Sequence, residues 1–254
     1  MGSKGNKRHT KRLNTTKYIH IDKKHPKFFI NTRSGPHQKH NSLPLGHILR
    51  DLLKVVNTLK EAKKVINQGK VLIDGRVCKD VRFPVGLMDV VEILDYDKVY
   101  RILPKKIFGL YPLEIPKKEK DFKLCRIENK STVKGGHVQL NLHDGRNILI
   151  KVKDPKKPKE DKYNTMGVLK IKLPSQEILD YYPLEENASI MVIRGKNLGM
   201  VGNINSITKR YGPNASIVKI TANSEGGDEE IHETAYAYSF IIGKKKPEIK
   251  LFSD

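Results

Sequence analysis

Apolar residues between positions 45 and 56 recur at the three- and four-residue spacing of an amphipathic helix. The apolar stripe consists of Leu45, Ile48, Leu49, Leu52, Leu53 and Val56. The polar side carries His47, Arg50, Asp51 and Lys54. Pro44 suits the first turn and Ser42 suits a capping position. The pattern therefore predicts a first helix with one buried face.

A second helix is predicted between Thr58 and Gly69. Thr58 and Glu61 have the spacing of a capping box, and Gly69 is suited to the left-handed position that ends a helix. Its apolar face consists of Leu59, Ala62, Val65 and Ile66, and its opposite side carries Lys60, Lys63 and Lys64. Asp74-Gly75 then predicts a tight hairpin between short strands, and Val90–Leu94 predicts a third strand. Residues 42–95 thus read as a helix–helix–hairpin domain.

Short strand patterns dominate the rest of the chain. Val99–Leu103 is one such pattern, ended by Pro104, and Phe122–Ile127 and Val168–Leu173 are others. Alternating apolar residues on both sides of Asp144-Gly145 predict a further hairpin. These features predict a central β-rich domain over residues 96–187.

Residues 188–243 combine β-branched residues with three closely spaced glycines, Gly195, Gly199 and Gly202. Glycines at this spacing permit tight loops and close backbone approach. A P-loop is excluded because the Lys-Ser/Thr after the last glycine and the following helix pattern are absent. The segment predicts a small β domain, with later strands at Ile217–Thr221 and Tyr236–Ile242. The fold class is therefore α+β and mostly β.

The charge distribution points to a polyanionic partner. The chain has 49 Lys and Arg against 28 Asp and Glu, a net charge of +21, and the first 40 residues hold eleven of these basic residues and one acid. Residues 1–41 offer few apolar side chains, so we predict an arm that is disordered alone and orders along phosphates. The predicted contacts are Lys7, Arg8, Lys11, Arg12, Lys17, Arg33 and His37, with Arg50 and Lys54 of the first helix. Residues 244–254 form a basic tail.

Other classes of function find little support. The two cysteines, Cys78 and Cys125, are isolated in sequence, and His137 and His143 would lie about 20 Å apart on one strand. We therefore predict neither a metal nor another cofactor. The N-terminal residues do not resemble a signal peptide, no run approaches the roughly 18 apolar residues of a membrane span, and the arm lacks the apolar face of a membrane-surface helix. These observations predict an intracellular protein.

The segment LKEAKKVINQGKVLIDGRV, residues 59–77, resembles the small RNA-binding domain first described in bacterial ribosomal protein four, the alpha-L motif. The resemblance implies phosphate contacts at Lys60, Lys63, Lys64, Lys70, Arg76 and Lys79. The segment around Gly195–Gly202 resembles a KOW motif, the strand–loop–strand element of a small five-stranded barrel. The resemblance implies such a barrel over residues 188–243 and RNA contacts at Arg194, Lys196 and Asn197, although a protein-binding barrel is an alternative. Arg146 is either a phosphate contact or a surface charge.

An ordered set of short motifs extends the resemblance over almost the whole chain. The motifs are SGPH at 34–37, LPL at 43–45, IDGRV at 73–77, GLMDV at 86–90, KLC at 123–125, HDGRNI at 143–148 and GKNLG at 195–199. Together they resemble the archaeal/eukaryotic family of small-ribosomal-subunit protein four. That family implies a structural, non-enzymatic protein of the cytoplasmic ribosome. It implies binding to small-subunit ribosomal RNA beside neighbouring small-subunit proteins, without a membrane or a small-molecule substrate.

Two alternatives share part of this pattern. Pseudouridine synthases also carry alpha-L domains, but they need a catalytic aspartate, usually after Arg-Leu, and this chain has no Arg-Leu-Asp. A transcription elongation factor would explain the KOW-like segment but neither the arm nor the alpha-L-like domain. An RNA-modification or elongation factor is therefore the weaker interpretation.

Overall fold

The computed structural model describes residues 9–252, apart from 17–18, 22–23, 25–26, 155–158, 212–214 and 224–228. The chain divides into two compact units, Met1–Lys120 and Asp121–Asp254. Strands predominate in both units, as predicted, and none of the helices among the described residues is long and apolar enough to cross a bilayer.

The described residues of the N-terminal unit form two helices and nine short strands. The strands are β1 (His9–Lys11), β2 (Phe28–Ile30), β3 (Ser42–Pro44), β4 (Val71–Ile73), β5 (Arg76–Val77), β6 (Pro84–Gly86), β7 (Val90–Ile93), β8 (Lys98–Lys105) and β9 (Gly109–Ile115). The helices are α1 (Leu45–His47), which continues as a π-helical turn over Ile48–Leu52, and α2 (Leu59–Asn67). Turns of 3-10 helix lie at Arg12–Asn14, Lys39–Asn41, Leu94–Tyr96 and Lys117–Glu119.

The first helix is shorter and wider than its pattern predicts. Leu45, Ile48 and Leu49 are fully buried, but the backbone N–H of Leu53 donates to the carbonyl of Ile48, five residues back. This spacing defines a π-helical turn and ends the regular helix early. The predicted cap at Ser42 is wrong, because Ser42 lies in β3 and its hydroxyl donates to the carbonyl of Gln38.

His47 is also placed differently from the prediction. Instead of lying on a polar, exposed side, its side chain is buried, with its ring 4.9 Å from that of Phe29. Phe29 belongs to the leader, the segment of residues 1–41 that was predicted as an arm. The helical periodicity of residues 45–56 therefore contained no sign of this neighbour.

The second helix and the hairpin follow the sequence pattern closely. The hydroxyl of Thr58 accepts the N–H of Glu61, and the Glu61 carboxylate accepts the N–H of Thr58, forming the predicted capping box. Gly69 has a left-handed φ of 76° after the helix. Asp74 and Gly75 have φ values of 51° and 75°, as a tight two-residue hairpin turn requires.

The five-stranded antiparallel sheet of this unit has the order β5-β4-β7-β8-β9, and β1-β2 and β3-β6 form two smaller sheets. The five-stranded sheet therefore continues beyond residue 95, where a domain boundary was predicted. Pro104 does not end its strand but pairs with Leu110 of β9. The register of β7 on β8 stops at Arg101, so Pro104 lies where β9 is the paired neighbour. A proline is tolerated in such a position.

Part of the predicted arm is folded into this unit. Phe29 is 1% exposed and joins Ile30, Leu43 and Leu45 in the main apolar core. Ile19 pairs with Gly109 in an isolated antiparallel bridge. Phe28–Ile30 forms β2, which pairs with β1. The prediction that residues 1–41 are disordered alone is thus wrong for Ile19 and for Phe28–Ile30, which pair with or pack into this unit.

In the C-terminal unit, the part of the chain that the structure describes forms ten strands in two antiparallel sheets. The strands are β10 (Phe122–Val133), β11 (His137–Leu142), β12 (Asn147–Ile150), β13 (Val168–Lys172), β14 (Ile178–Tyr182), β15 (Ser189–Val192), β16 (Val201–Thr208), β17 (Ile217–Asn223), β18 (Glu229–Ala235) and β19 (Ser239–Gly243). The sheet orders are β12-β11-β10-β13-β14 and β18-β17-β16-β15-β19. The hairpin around Asp144-Gly145 is confirmed as β11–β12, whereas the predicted strand Tyr236–Ile242 begins only at Ser239, after a 3-10 turn at Tyr236–Tyr238.

Arg126 joins the two sheets of this unit. Its side chain is 8% exposed, and one guanidinium nitrogen donates to the carbonyls of Ala237 and Ser239, at 3.0 and 2.9 Å. Its other nitrogens donate to the carboxylate of Glu128. The C-terminal segment also packs against this unit. Ile249 is buried, and the carboxylate of Glu248 accepts a hydrogen bond from the ammonium of Lys170 in β13, at 2.6 Å.

Gly202 lies where two strands approach too closely for a side chain. A Cβ at this position would lie 2.5 Å from the carbonyl oxygen of Thr221 in the neighbouring strand. We expect Gly202→Ala to lower the free energy of unfolding by about 1–3 kcal/mol, as overpacked substitutions do. Urea unfolding checks this, with exposed Asn203→Ala as the matched control, and equal stability of the two variants would contradict the expectation.

Candidate nucleic-acid interface

Helix α2 presents a face of three exposed lysines, Lys60, Lys63 and Lys64. The helix is held in place by the capping box at its start and by Ala62 and Ile66, which are fully buried on the opposite side. Within the described part of the chain, none of the three lysines has an acidic partner at ion-pair distance. The face therefore offers uncompensated positive charge on a fixed support.

The β4–β5 hairpin adds two further exposed cations, Arg76 and Lys79. The turn is held by Asp74, whose buried carboxylate accepts the backbone N–H of Val90 at 2.9 Å. The sequence pattern predicts Asp74 only as a turn residue. Its bond to β7 also fixes the hairpin that carries Arg76.

Two of the predicted RNA contacts, Lys70 and Arg33, form ion pairs on the surface. Lys70 lies 2.7 Å from the carboxylate of Asp95, and Arg33 lies 3.2 Å from that of Asp80. The side chains of Lys70 and Arg33 are 39% and 63% exposed, and pairs this open to water contribute little to stability. Both cations can therefore exchange their carboxylate for a phosphate at small cost.

Arg50 is more firmly held than its position on the polar side suggests. Its guanidinium donates to both carboxylate oxygens of Asp51, at 2.7 Å each, and His47 lies 2.7 Å from the same carboxylate. Burial alone would raise the pKa of Asp51, but the hydrogen bonds with His47 and Arg50 lower it well below its usual range. The charge of Arg50 is thus largely compensated, whereas Lys54, just after the π-helical turn, is exposed.

His37 cannot serve as the predicted RNA contact. Its side chain is 4% exposed, its Nε2 lies 3.0 Å from the carboxylate of Asp89, and a Cβ on Gly86 would collide with its ring. The same carboxylate accepts the N–H of Gly86 at 2.8 Å. The histidine therefore anchors the leader to the N-terminal unit instead of presenting a cation to a ligand.

Five further predicted RNA contacts lie in the leader. Lys7, Arg8 and Lys17 lie outside the described residues. Lys11 is exposed in β1, and Arg12 is half-buried at the start of a 3-10 turn, with its N–H donating to the carbonyl of Lys27.

In the C-terminal unit the predicted contacts lie on two separate turns. Arg194, Lys196 and Asn197 belong to the loop between β15 and β16, where Gly195 and Gly199 have left-handed φ values of 90° and 83°. Arg194 and Lys196 are exposed, and Asn197 is half-buried, with its carbonyl accepting the N–H of Met200. Arg146 instead lies 3.2 Å from the buried carboxylate of Asp144, which already binds Lys123.

The atoms around Asp144 resemble a metal site only at first sight. Ligand atoms of Cys125, His143 and Asp144 lie within 4.8 Å of one another. However, the Asp144 carboxylate lies 3.0 Å from the ammonium of Lys123, which is 1% exposed, and Nδ1 of His143 accepts the N–H of Arg126. A cation in this place would meet a buried positive charge, so the cluster fits an internal ion pair better than a metal.

Comparison with known proteins identifies the family. A family model described as "Ribosomal family S4e" matches residues 96–178, and one described as "S4 domain" matches residues 52–91. The small ribosomal subunit protein eS4 of Desulfurococcus amylolyticus is 49% identical over 253 residues, covering 99% of this chain and 98% of the relative. That of Methanocaldococcus jannaschii is 45% identical over 253 residues, covering 99% and 100%. This chain belongs to the ribosomal S4e family.

A solved structure agrees with this assignment to the S4e family. The crystal structure of the 30S ribosomal protein S4e from Thermoplasma acidophilum matches with a TM-score of 0.66 and 26% identity, covering 80% of this chain and 96% of that chain. Within the S4-domain match of residues 52–91 lie all six cations that the alpha-L resemblance singled out, together with Lys54. None of the predicted RNA contacts lies in the β8–β9 hairpin, which is inside the S4e match.

Proposed function

We propose that this chain is a structural protein of the small ribosomal subunit that binds small-subunit ribosomal RNA, mainly through contacts of its cations with phosphates. The observation that carries the proposal is the exposed, uncompensated lysine face of α2 within a matched S4 domain. A net charge of +21 fits a polyanionic partner, and the relatives are named as small ribosomal subunit proteins. The protein is not an enzyme, and its place is the cytoplasmic ribosome.

We further propose how the other segments contribute to binding. Residues before β2, with Lys7, Arg8, Lys11, Arg12 and Lys17, would run along the RNA as a basic arm ending before Phe28. The five-stranded sheet β15–β19 would act as a KOW-type barrel whose loop brings Arg194, Lys196 and Asn197 to the RNA. Residues 244–254 would add Lys244, Lys245 and Lys246. The pair of Lys244 with Asp180, at 3.3 Å, is as open to water as that of Arg33 with Asp80.

The remaining partners follow from the same proposal. Neighbouring small-subunit proteins would contact surfaces that the RNA leaves open. The function requires no cofactor, membrane or small-molecule substrate. The names of the relatives give no support to an elongation or RNA-modification factor.

Reversing two charges of the α2 face tests the proposal. We expect Lys63→Glu with Lys64→Glu to weaken binding to small-subunit ribosomal RNA and to flatten the salt dependence. Each lost phosphate contact reduces the slope of log affinity against log salt by about 0.7–0.9. Filter binding over a salt series measures both, and circular dichroism checks that α2 is intact.

The matched control reverses two exposed lysines that already lie beside glutamates. Lys172 lies 3.9 Å from Glu177, and Lys219 lies 3.5 Å from Glu233, so these lysines contribute less uncompensated potential. Lys172→Glu with Lys219→Glu changes the net charge by the same amount as the α2 variant. Equal losses of affinity in both double variants would show that only the total charge matters and would remove α2 from the interface.

A further inference from the structure

A cavity of about 590 Å³ opens in the N-terminal unit beside the π-helical turn and the β8–β9 hairpin. Its lining includes His20, Arg50, Lys54, Asn57, Phe108 and Tyr111. The volume lies in the range of about 300–1,000 Å³ typical of sites for small organic groups. The aromatic residues of this cavity lie outside both the lysine face of α2 and the cations of the β4–β5 hairpin.

One wall of the cavity is aromatic. The ring of Phe108 lies 4.7 Å from the ring of His20 and 5.6 Å from that of Tyr111, measured between centroids. The ammonium of Lys105 lies 5.4 Å from the ring centroids of both Phe108 and Tyr111. Phe108 and Tyr111 are only half-buried, so part of each ring remains open to a ligand.

The remaining lining combines the apolar side chains of Ile21, Leu52 and Val56 with polar and charged groups. Arg50 keeps its guanidinium beside Asp51, which fixes both groups at the edge of the cavity. Lys54 and Asn57 are exposed, and they supply an ammonium and a side-chain amide. An amide can both donate and accept hydrogen bonds, as the polar edge of a base requires.

The backbone beside the cavity adopts an unfavourable conformation at two non-glycine residues. Lys54 has a φ of 53°, and Ile107, directly before Phe108, has a φ of 73°. A left-handed φ is rare for a β-branched residue, and such conformations concentrate at functional sites. Ile107 is also 84% exposed at the tip of its hairpin, flanked by Lys106 and Phe108. The hairpin therefore presents an apolar tip and an aromatic ring among lysines.

We propose that this cavity receives one unpaired nucleobase of the ribosomal RNA, stacked on Phe108 with Tyr111 at its edge, since the two rings are inclined at 65° to each other, and with Lys54 and Lys105 near the adjoining phosphates. Proteins bind unpaired bases by stacking them on aromatic side chains within a basic groove. The cations at the cavity favour RNA over an apolar segment of a neighbouring protein. This inference rests on the proposed function and adds a base-binding site to an interface otherwise made of phosphate contacts.

Three substitutions in the full-length chain test the role of the Phe108 ring. We expect Phe108→Leu, which keeps an apolar side chain but removes the ring, to lower affinity for small-subunit ribosomal RNA by about 5- to 100-fold. Phe108→Tyr keeps the ring and should bind within about twofold of the unmodified chain. Tyr96→Leu removes an exposed ring elsewhere in the same unit and serves as the matched control, with affinity expected to stay unchanged.

A cross-linking experiment identifies the occupant independently of affinity. Ile107 is replaced by the photoreactive amino acid p-benzoylphenylalanine, the chain is incorporated into small subunits, and the adducts are analysed by mass spectrometry. A nucleotide adduct supports the proposal, and an adduct to a neighbouring protein overturns it. Should Phe108→Leu fail to fold, this adduct together with Phe108→Tyr decides the question.

The result is distinguishable from a failure of the proposed function. If Phe108→Leu folds and binds RNA as tightly as the unmodified chain, while Lys63→Glu with Lys64→Glu weakens binding, the base site is wrong and the phosphate interface stands. If the unmodified chain does not bind ribosomal RNA at all, the proposed function itself is wrong.

Discussion

Replacing Phe29 with alanine is expected to lower the free energy of unfolding of the N-terminal unit by about 3–5 kcal/mol. Phe29 is 1% exposed, it belongs to the main core cluster with Leu43 and Leu45, and its ring packs on that of His47. Removing the ring would open a cavity among side chains held by β3 and α1. Urea unfolding of the full-length chain, followed by circular dichroism, measures the loss.

Phe28 provides the control for this experiment. It is the adjacent residue of the same strand but is 52% exposed, so Phe28→Ala removes the same side chain with little loss of buried surface. We expect the unfolding curve of Phe28→Ala to lie within about 1 kcal/mol of that of the unmodified chain. Similar curves for the Phe28 and Phe29 variants would mean that the leader does not belong to the core.

The expected loss also changes the view of the leader as a separable arm. A deletion of residues 2–40 would remove Phe29, Ile30 and the His37–Asp89 bond together. Such a deletion would therefore affect folding and RNA binding at once, and it does not isolate the arm. A truncation that removes only residues 2–8, with Lys7 and Arg8, leaves β1, Ile19 and β2 in place and therefore reports on RNA contacts.

Short-range signals predicted the local structure because their energetics are local. The capping box of Thr58 and Glu61 spans three residues, and the Asp74-Gly75 turn needs only two left-handed positions. The exposed lysines of α2 follow from the same helical periodicity that buries Ala62 and Ile66. These features required no knowledge of the rest of the chain.

Long-range contacts explain most of what the sequence did not predict. His37 is buried against Asp89, which lies 52 positions later in the sequence, so no local pattern indicates this contact. The high net charge of the leader favoured a disordered arm, although β2 contains apolar residues. Strand β9 contains Pro112, which argues against a strand in a sequence pattern, yet β9 lies at the end of the sheet order, where a proline is tolerated. The aromatic cavity combines residues near positions 20, 50 and 108, and no local pattern links them.

Lys123 is a further residue whose role the sequence did not reveal. In the segment Phe122–Ile127 it reads as an ordinary polar residue on an alternating strand, yet β10 is the middle strand of its sheet and the Lys123 side chain is 1% exposed. Its partner, Asp144, was predicted only as a turn residue. The ion pair between them connects β10 to the β11–β12 turn inside the C-terminal unit.

Breaking this buried ion pair is the second substitution with a large expected effect. Lys123→Met leaves the Asp144 carboxylate buried with Arg146 as its remaining cationic side chain, at 3.2 Å. Removing one member of such a pair costs about 3–5 kcal/mol, because the other charge stays buried without adequate compensation. We expect Asp144→Asn to cost a similar amount. The double variant Lys123→Met with Asp144→Asn should lose less than the sum of the single losses.

Acid unfolding provides an independent test of the same pair. Burial alone would raise the pKa of Asp144, but the charges of Lys123 and Arg146 lower it well below its usual range. The folded state therefore binds this proton less readily than the unfolded state, in which an aspartate has a pKa of about 3.9. The resulting stabilisation is complete above that value and is lost as the pH falls from about 4 towards the lower pKa of the folded state. Urea unfolding at pH 7, 4 and 3 should thus show that the free energy of unfolding falls more steeply with decreasing pH for the unmodified chain than for Asp144→Asn. Equal pH dependence of the two proteins would contradict the assignment of a charged, buried Asp144.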